Sequence, residues 1–236
     1  MKNRTYIHPA TLFIFLSISL IVCSWIGSGY GWTGVQNLLS IDALRWMLRH
    51  VEENFMYSSA FAMACMLFFG FGLVVHSGLG DALHRLVLQD KILSRKQKRA
   101  LALAGLTALI YSSLCCLLVW GPWGILRSVT GMFEGSPLQD GILIIISFGF
   151  GLCGTIYGFS VDTYRRDKDI YQGMSCLFSK YADYFVSLFF IEQFFASLTY
   201  SGMIPFLQIP VEVVNLLYVV SCIYPFFLKR KHAYFH

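Results

Sequence analysis

A carboxylate and an amide lie side by side in the middle of a phenylalanine-rich apolar run. The run reads SLFFIEQFFASL over residues 187–198, and its two polar members are Glu192 and Gln193. On a soluble protein these side chains would simply face water. In the middle of a membrane span a carboxylate costs roughly 2.5–3.5 kcal/mol and is usually functional. The chemistry open to this pair therefore depends on the solvent around the chain.

The composition indicates that this solvent is lipid. Of the 236 residues, 56% are hydrophobic and 13% are charged, which is about half of the roughly 25% charged residues in a soluble domain. So few charges could not cover an apolar core of this size in water. The composition therefore predicts a lipid bilayer as the principal partner, and no nucleic acid, despite the net charge of +5.

Six apolar runs are long enough to cross a bilayer, which requires about 20 residues per helix. They lie at residues 11–29, 58–78, 100–121, 141–161, 184–203 and 211–228. The last is short, and Pro225 interrupts it. We predict an all-α, polytopic integral membrane protein with about six transmembrane helices, forming a single domain over residues 1–236.

The basic residues predict the orientation of these spans. All but three of the 18 lysines and arginines lie near the termini, in a basic linker at 81–99, or in the segment 162–183. The exceptions are Arg45, Arg49 and Arg127. Cytoplasmic loops are enriched in Lys and Arg, so we predict a multi-pass protein of the bacterial inner membrane with the linker and both termini in the cytoplasm.

Residues 40–55 predict an amphipathic helix between the first two spans. Its apolar residues recur at spacings of three and four, namely Leu44, Met47, Leu48, Val51 and Phe55. The opposite face is charged, which is typical of a helix lying in the membrane interface, here with Trp46 at headgroup depth. Packing against partner helices is the alternative.

Three glycines, Gly151, Gly154 and Gly158, share one face of the fourth predicted span. Small residues at this spacing let membrane helices approach each other closely, so we predict a helix-packing face. Because the pattern is common in membrane spans, it is weak evidence for a dimer.

The sequence predicts no metal site, no cofactor and no enzyme. Its seven cysteines lie mostly within the apolar runs and lack the spacing of metal ligands. In such positions cysteine behaves as a small apolar residue. Metalloprotease motifs and nucleophile–base pairs are also missing from the sequence.

Two blocks of the sequence are similar to one transporter family. The first block covers residues 8–26 and 35–88, with a His-Pro opening, an Asn-Leu-Leu-Ser run and Arg45-Trp46. The second covers residues 154–198, with Tyr157-Gly158, an Asp-Lys-Asp triplet and Gln193-Phe194. In order and spacing they resemble the p-aminobenzoyl-glutamate transporter (AbgT) family. The resemblance implies transport of a small anionic aromatic solute, and the family is also linked with drug efflux driven by a proton gradient.

The sequence also departs from that family. Its members are roughly twice as long, with about nine spans and two re-entrant hairpins that form the substrate site, where broken helices meet cargo at the midplane. Here residues 111–125 contain no acidic residue in place of the first hairpin, and little chain follows residue 201. We expect the hairpins to be missing. The break at Pro122 is expected to end the third span, with Trp120 and Trp123 at the interface.

The resemblance and the residues leave three interpretations of Glu192. It is a protonatable coupling site, a neutral hydrogen-bonded structural residue, or a contact to another subunit. Gln193 matches a family glutamine, which suggests a helix–helix hydrogen bond. The candidate partners of the pair within the bundle are Asn215, Tyr157, Ser112 and Ser113.

Two functions follow as hypotheses. The first is a reduced transporter, in which a homodimer builds the pathway from few helices and Glu192 responds to protons. The second is a scaffold or subunit that does not transport, is derived from the transporter fold and associates with a partner membrane protein.

Overall fold

The computed structural model describes residues 8–88, 93–121, 125–127 and 136–232. Within these ranges the chain forms helices and no strand, which confirms the predicted all-α class. The helices are α1 (Pro9–Gly29), α2 (Ile41–Met56), α3 (Ser59–Ser77), α4 (Leu79–Leu88), α5 (Arg95–Trp120), α6 (Pro137–Val161), α7 (Asp167–Lys180), α8 (Ala182–Tyr200), α9 (Met203–Phe206) and α10 (Val211–His232). The break at Pro122 and the anchor Trp123 lie outside the described residues, although α5 does end at Trp120, just before them.

Four helical segments among the described residues are long and apolar enough to cross a membrane. They are α1, the nearly continuous stretch Ile41–Ser77, α5 and α6. The apolar part of α10, Val211–Phe226, is shorter, and Asp183, Glu192 and Gln193 lower the mean hydropathy of α8. The polytopic membrane class is confirmed, while the count of six spans stays a prediction.

Two charged segments between the predicted spans are largely helical. The linker 81–99 contains most of α4 and the start of α5, and the segment 162–183 contains α7. At the start of α5 a capping box stabilises the helix, because the Ser94 hydroxyl accepts the Gln97 N–H at 3.2 Å and the Gln97 side chain accepts the Ser94 N–H at 3.1 Å. Local capping of this kind explains why a basic stretch is helical here.

The chain divides into two compact units, and each is described by itself. Unit 1 comprises Met1–Ala62 and Ala182–His236, and unit 2 comprises Met63–Tyr181. The boundary falls within α3.

Unit 1 is organised around α8. The ring of Phe13 on α1 contacts the ring of Phe194 on α8 edge to face, with centroids 5.6 Å apart. The chain that follows α1 is held by two hydrogen bonds. Ser24 Oγ accepts the Leu38 N–H at 3.2 Å, and the Gln36 N–H donates to the carbonyl of Ser201 at 2.9 Å. These contacts place α1 against the helix that contains Glu192 and Gln193.

Unit 2 is built on the pairing of α5 with α6. The Tyr111 hydroxyl on α5 donates to the carbonyl of Ile145 on α6 at 2.7 Å. Tyr157 on α6 is 2% exposed and packs with apolar side chains of α4 and α5 and of the residues just before α5. The ion pair between Lys96 and Asp162 joins the start of α5 to the end of α6, and this bond to the Lys96 ammonium holds the pKa of the Asp162 carboxyl below its usual value.

The outer surface of several helices is apolar. Large side chains such as Phe15 on α1 and Leu109 and Leu117 on α5 are more than half exposed. Exposed apolar area of this extent marks a contact surface, and on helices long enough to cross a bilayer that contact is lipid. The outward faces therefore fit the bilayer that the composition predicts.

Candidate functional site

Glu192 lies in a buried polar cluster of unit 1. Glu192 is 6% exposed, and the hydroxyl of Tyr218 on α10 donates to Glu192 Oε1 at 2.7 Å. Ser58 and Ser59, at the start of α3, lie near Glu192 and Tyr218 respectively. A carboxyl group in this position can hold a proton or accept hydrogen bonds as an anion, so the cluster can support proton exchange.

Apolar side chains surround this cluster. Leu188 and Ile191, on the same helix as Glu192, are fully buried. On the α10 side, the ring of Phe195 contacts the Tyr218 ring edge to face, with centroids 5.4 Å apart. In so apolar a setting an unpaired carboxyl group is costly. The Tyr218 hydroxyl therefore matters more to Glu192 than it would at a wet surface.

Gln193 points to a different helix. Its Nε2 donates to the carbonyl of Val51 on α2 at 2.8 Å, and its Oε1 accepts the Asn54 amide at a longer 3.4 Å. Adjacent residues on a helix lie about 100° apart, so neighbouring polar side chains can serve separate contacts. Glu192 therefore joins α8 to α10, while Gln193 joins α8 to α2.

The partner of Glu192 differs from the predicted candidates. The structure pairs it with Tyr218, which lies three residues after Asn215 on α10, and Asn215 itself is exposed. Positions three apart on a helix point in directions that differ by about 60°, enough to turn Asn215 outward. The sequence signal for Tyr218 is a hydroxyl group in a largely apolar run. Tyr224 in the same run carries the same signal, so the sequence does not distinguish between them.

The other predicted partners belong to unit 2 and have contacts there. Ser112 and Ser113 donate to the carbonyls of Leu109 and Ile110 in their own helix, at 3.0 and 2.8 Å. Tyr157 belongs to the buried core of α4, α5 and α6. The two serine hydroxyls are thus bonded within their own helix, and Tyr157 is packed in the core of unit 2.

The predicted glycine face lies against α3 and the chain after α6. A Cβ on Gly154 would lie 2.8 Å from the backbone of Leu73, and one on Gly151 would lie 3.3 Å from the Leu73 side chain. Gly158 faces the ring of Tyr164 instead. The close approach at Gly151 and Gly154 is therefore between helices of one chain, within unit 2.

The amphipathic helix α2 packs against α8 on one face. The ring of Trp46 stacks on Tyr200 at 4.1 Å and on His50 at 5.3 Å between centroids. This face of α2 therefore packs against a partner helix, and the position of Trp46 at headgroup depth stays a prediction. Leu44 and Leu48, on another face of α2, are exposed.

Residues 82–218 match the sequence model of the AbgT putative transporter family. This match includes more than half of the chain and ends at Tyr218. The chain belongs to the AbgT family. The recognition of that family from two sequence blocks is confirmed.

A curated relative and two solved structures agree with this assignment. The chain is 36% identical over 86 residues to the p-aminobenzoyl-glutamate transport protein of Escherichia coli (strain K12), an alignment that spans 32% of this chain but only 17% of that protein. It is similar to the Alcanivorax borkumensis YdaH transporter, with a TM-score of 0.70 at 17% identity over 91% of this chain and 77% of that one. It is also similar to Neisseria gonorrhoeae MtrF, described among antimetabolite efflux pumps, with a TM-score of 0.76 at 16% identity over 85% and 70% of the two chains.

These similarities show that this AbgT chain is a bacterial membrane protein with a transporter or efflux pump fold. Among the residues that the structure describes, no group of three or more His, Cys, Asp or Glu side chains could hold a metal ion. Glu192 and Gln193, which bond α8 to neighbouring helices, are the candidate functional groups of unit 1.

We expect Gln193→Leu to loosen α2 from α8 in this AbgT protein. The substitution removes both hydrogen bonds, and interhelical bonds in membrane proteins contribute about 0.6 kcal/mol on average and up to about 1.7 kcal/mol. Asn54→Leu removes only the longer bond and should have the smaller effect. Thermal unfolding of the detergent-purified variants measures both changes. Equal effects of the two substitutions would contradict the assigned role of the Val51 carbonyl.

Proposed function

We propose that this AbgT chain takes part in moving a small anionic aromatic amide across the bacterial inner membrane, with Glu192 as the proton-responsive group. The observation that carries the proposal is the buried Glu192 carboxyl paired with Tyr218. The names of the E. coli and N. gonorrhoeae proteins support this solute class and membrane transport as the activity. Ionisable residues inside membrane bundles commonly mark proton or substrate pathways. We expect no enzymatic activity.

The coupling works through charge. When Glu192 is ionised, the Tyr218 hydroxyl stabilises the carboxylate, and an anionic solute near the site is repelled. When Glu192 is protonated, that repulsion disappears and the solute can approach. Solute and proton are thereby linked without a metal or cofactor. We infer that two copies of the chain together form the pathway, with all termini in the cytoplasm.

Transport in proteoliposomes tests this proposal. The full chain is reconstituted, a pH gradient is imposed, and flux of p-aminobenzoyl-glutamate is measured for the unchanged protein and for Glu192→Gln. The glutamine keeps the volume and can still bond to Tyr218, but it cannot release a proton. Glu212→Gln is the matched control, because Glu212 is exposed at the first turn of α10. We expect Glu192→Gln to lose the response to the pH gradient and Glu212→Gln to keep it.

A scaffold that does not transport is the second candidate. The hydrogen bond from Tyr218 to Glu192 favours this candidate. A carboxyl group with a hydrogen-bond partner can have a purely structural role, which here is to join α8 to α10. On this hypothesis the chain copurifies with a partner membrane subunit, and Glu192→Gln changes stability alone. Absence of flux under every gradient would reject the transport proposal. Flux by the chain purified alone would reject the scaffold.

A further inference from the structure

Unit 2 contains an apolar cleft that the proposed transport site does not use. It has a volume of about 480 Å³ and is bounded by α3, α6 and α7, which is within the roughly 300–1,000 Å³ of ligand pockets. The lining residues used below are Ser147, Leu152, Thr155, Ile170 and Met174. The cleft is open on one side, so a long flexible ligand can enter it from the surrounding medium.

The helices around the cleft are held in place by backbone contacts. The Gly70 N–H on α3 donates to Ser147 Oγ on α6 at 3.0 Å, and the same hydroxyl donates to the Met66 carbonyl. A Cβ on Gly72 would lie 2.6 Å from the carbonyl oxygen of Gly173 on α7. Backbones that already touch cannot move together to close the cleft. These contacts fix the spacing of α3 from α6 and α7 beside the cleft.

The chemistry of the cleft favours a hydrocarbon chain over a polar solute. Its polar members are Ser147, whose hydroxyl is used by α3, and Thr155, whose hydroxyl donates to the Gly151 carbonyl at 2.8 Å. The walls α3 and α6 belong to segments long and apolar enough to span the bilayer. An acyl chain is the ligand whose chemistry matches these apolar walls.

Basic residues near the α7 end of the cleft favour a ligand with a negative charge. Ile170 and Met174 form this end, and Arg165, Arg166 and Lys168 are exposed at the start of the same helix. Two of the nearby acidic side chains already have partners within the protein. Asp169 Oδ2 accepts the N–H groups of Arg165 and Arg166 at 2.9 and 3.0 Å, which lowers the pKa of that carboxyl.

Asp162 pairs with Lys96, so Asp167 and Asp169 are the remaining carboxylates of this turn. Three basic side chains against these two carboxylates leave a net charge of +1, which favours an anionic headgroup. Basic pockets at the cytoplasmic ends of membrane helices bind such headgroups.

We propose that the cleft between α3, α6 and α7 binds an anionic phospholipid. One acyl chain occupies the cleft, and the phosphate lies beside Arg165, Arg166 and Lys168. Because the acyl chain leaves one hydrocarbon medium for another, selection comes from packing and from the headgroup charge rather than from the hydrophobic effect. The site holds a structural or regulatory lipid, separate from the cluster at Glu192.

Photocrosslinking in vesicles tests the site. The full chain is reconstituted in phosphatidylcholine containing a trace of phosphatidylglycerol with a photoactivatable diazirine in its acyl chain, and labelled peptides are mapped by mass spectrometry. Labelling should concentrate on the peptides containing Leu152, Thr155 and Met174. The same diazirine lipid with a phosphatidylcholine headgroup should label them less. Replacing Arg165 and Arg166 by glutamine should reduce the preference about fivefold for each charge removed, since each basic residue contributes about 1 kcal/mol near a membrane surface.

Two matched variants test the position of the acyl chain. Thr155→Phe fills the cleft and should remove most of its labelling. Ile156→Phe adds the same ring at the next position, which is 37% exposed and lies outside the cleft, and should leave labelling unchanged. Equal labelling of the two variants or equal labelling by the two headgroups would each overturn the proposal. The headgroup comparison uses the unchanged chain, so it decides the question even if Thr155→Phe does not fold.

Discussion

Gly70→Ala is expected to be among the most destabilising small substitutions in this protein. The new Cβ would overlap the backbone of Ser147 on the facing helix, and a helix backbone cannot yield as a flexible side chain can. Forcing extra volume into a packed contact costs about 1–3 kcal/mol, or more where backbones must separate. The substitution also threatens the hydrogen bond from the Gly70 N–H to Ser147.

Gly105→Ala is the matched control for this prediction. Gly105 lies in the middle of α5, and a Cβ there would meet nothing within 4 Å. Alanine is the better helix former by roughly 0.8–1.0 kcal/mol, so this variant should be unchanged or slightly more stable. Thermal unfolding of both variants in the same detergent, followed by size-exclusion chromatography, measures the difference. A Gly70→Ala protein as stable as Gly105→Ala would show that α3 and α6 do not touch at this point.

Tyr218→Phe should produce the second large loss of stability. It removes only the hydroxyl that donates to Glu192 and leaves a buried carboxyl group without its main donor. Such an unsatisfied group costs about 1–3 kcal/mol. Tyr224→Phe is the control, because the Tyr224 side chain lies on the same helix and is exposed. It should change stability little.

A double-mutant cycle separates this bond from the rest of the site. In Glu192→Leu the carboxyl group is gone, so adding Tyr218→Phe should have a much smaller effect than it has alone. The coupling energy should be of the size measured for hydrogen bonds between membrane helices, about 0.6 kcal/mol on average and up to about 1.7 kcal/mol. Additive effects of the two substitutions would mean that the two side chains do not bond. The geometric basis of the proposed proton site would then be lost.

Several elements could be predicted because their signals are local. The apolar run 11–29 became α1 (Pro9–Gly29), the run 58–78 became α3 (Ser59–Ser77), and the amphipathic pattern of 40–55 became α2 (Ile41–Met56). Run length and periodicity depend only on neighbouring residues and on bilayer thickness. The helix α7 was not predicted, because its mixed, charged sequence has no long apolar run, and its position rests on contact with α3 at Gly72.

The sequence alone determined that this chain is a helical membrane protein and which family it belongs to. It also showed that Glu192 and Gln193 are exceptional polar residues within an apolar helix. These conclusions depend on composition, run length and ordered motifs, all of which are read along the chain. Only the tertiary structure decided that Glu192 bonds to Tyr218 while Gln193 bonds to α2, and that α3, α6 and α7 leave a cleft. Such facts depend on which helix faces turn toward each other, and rotation of a helix about its axis is set by packing between distant segments.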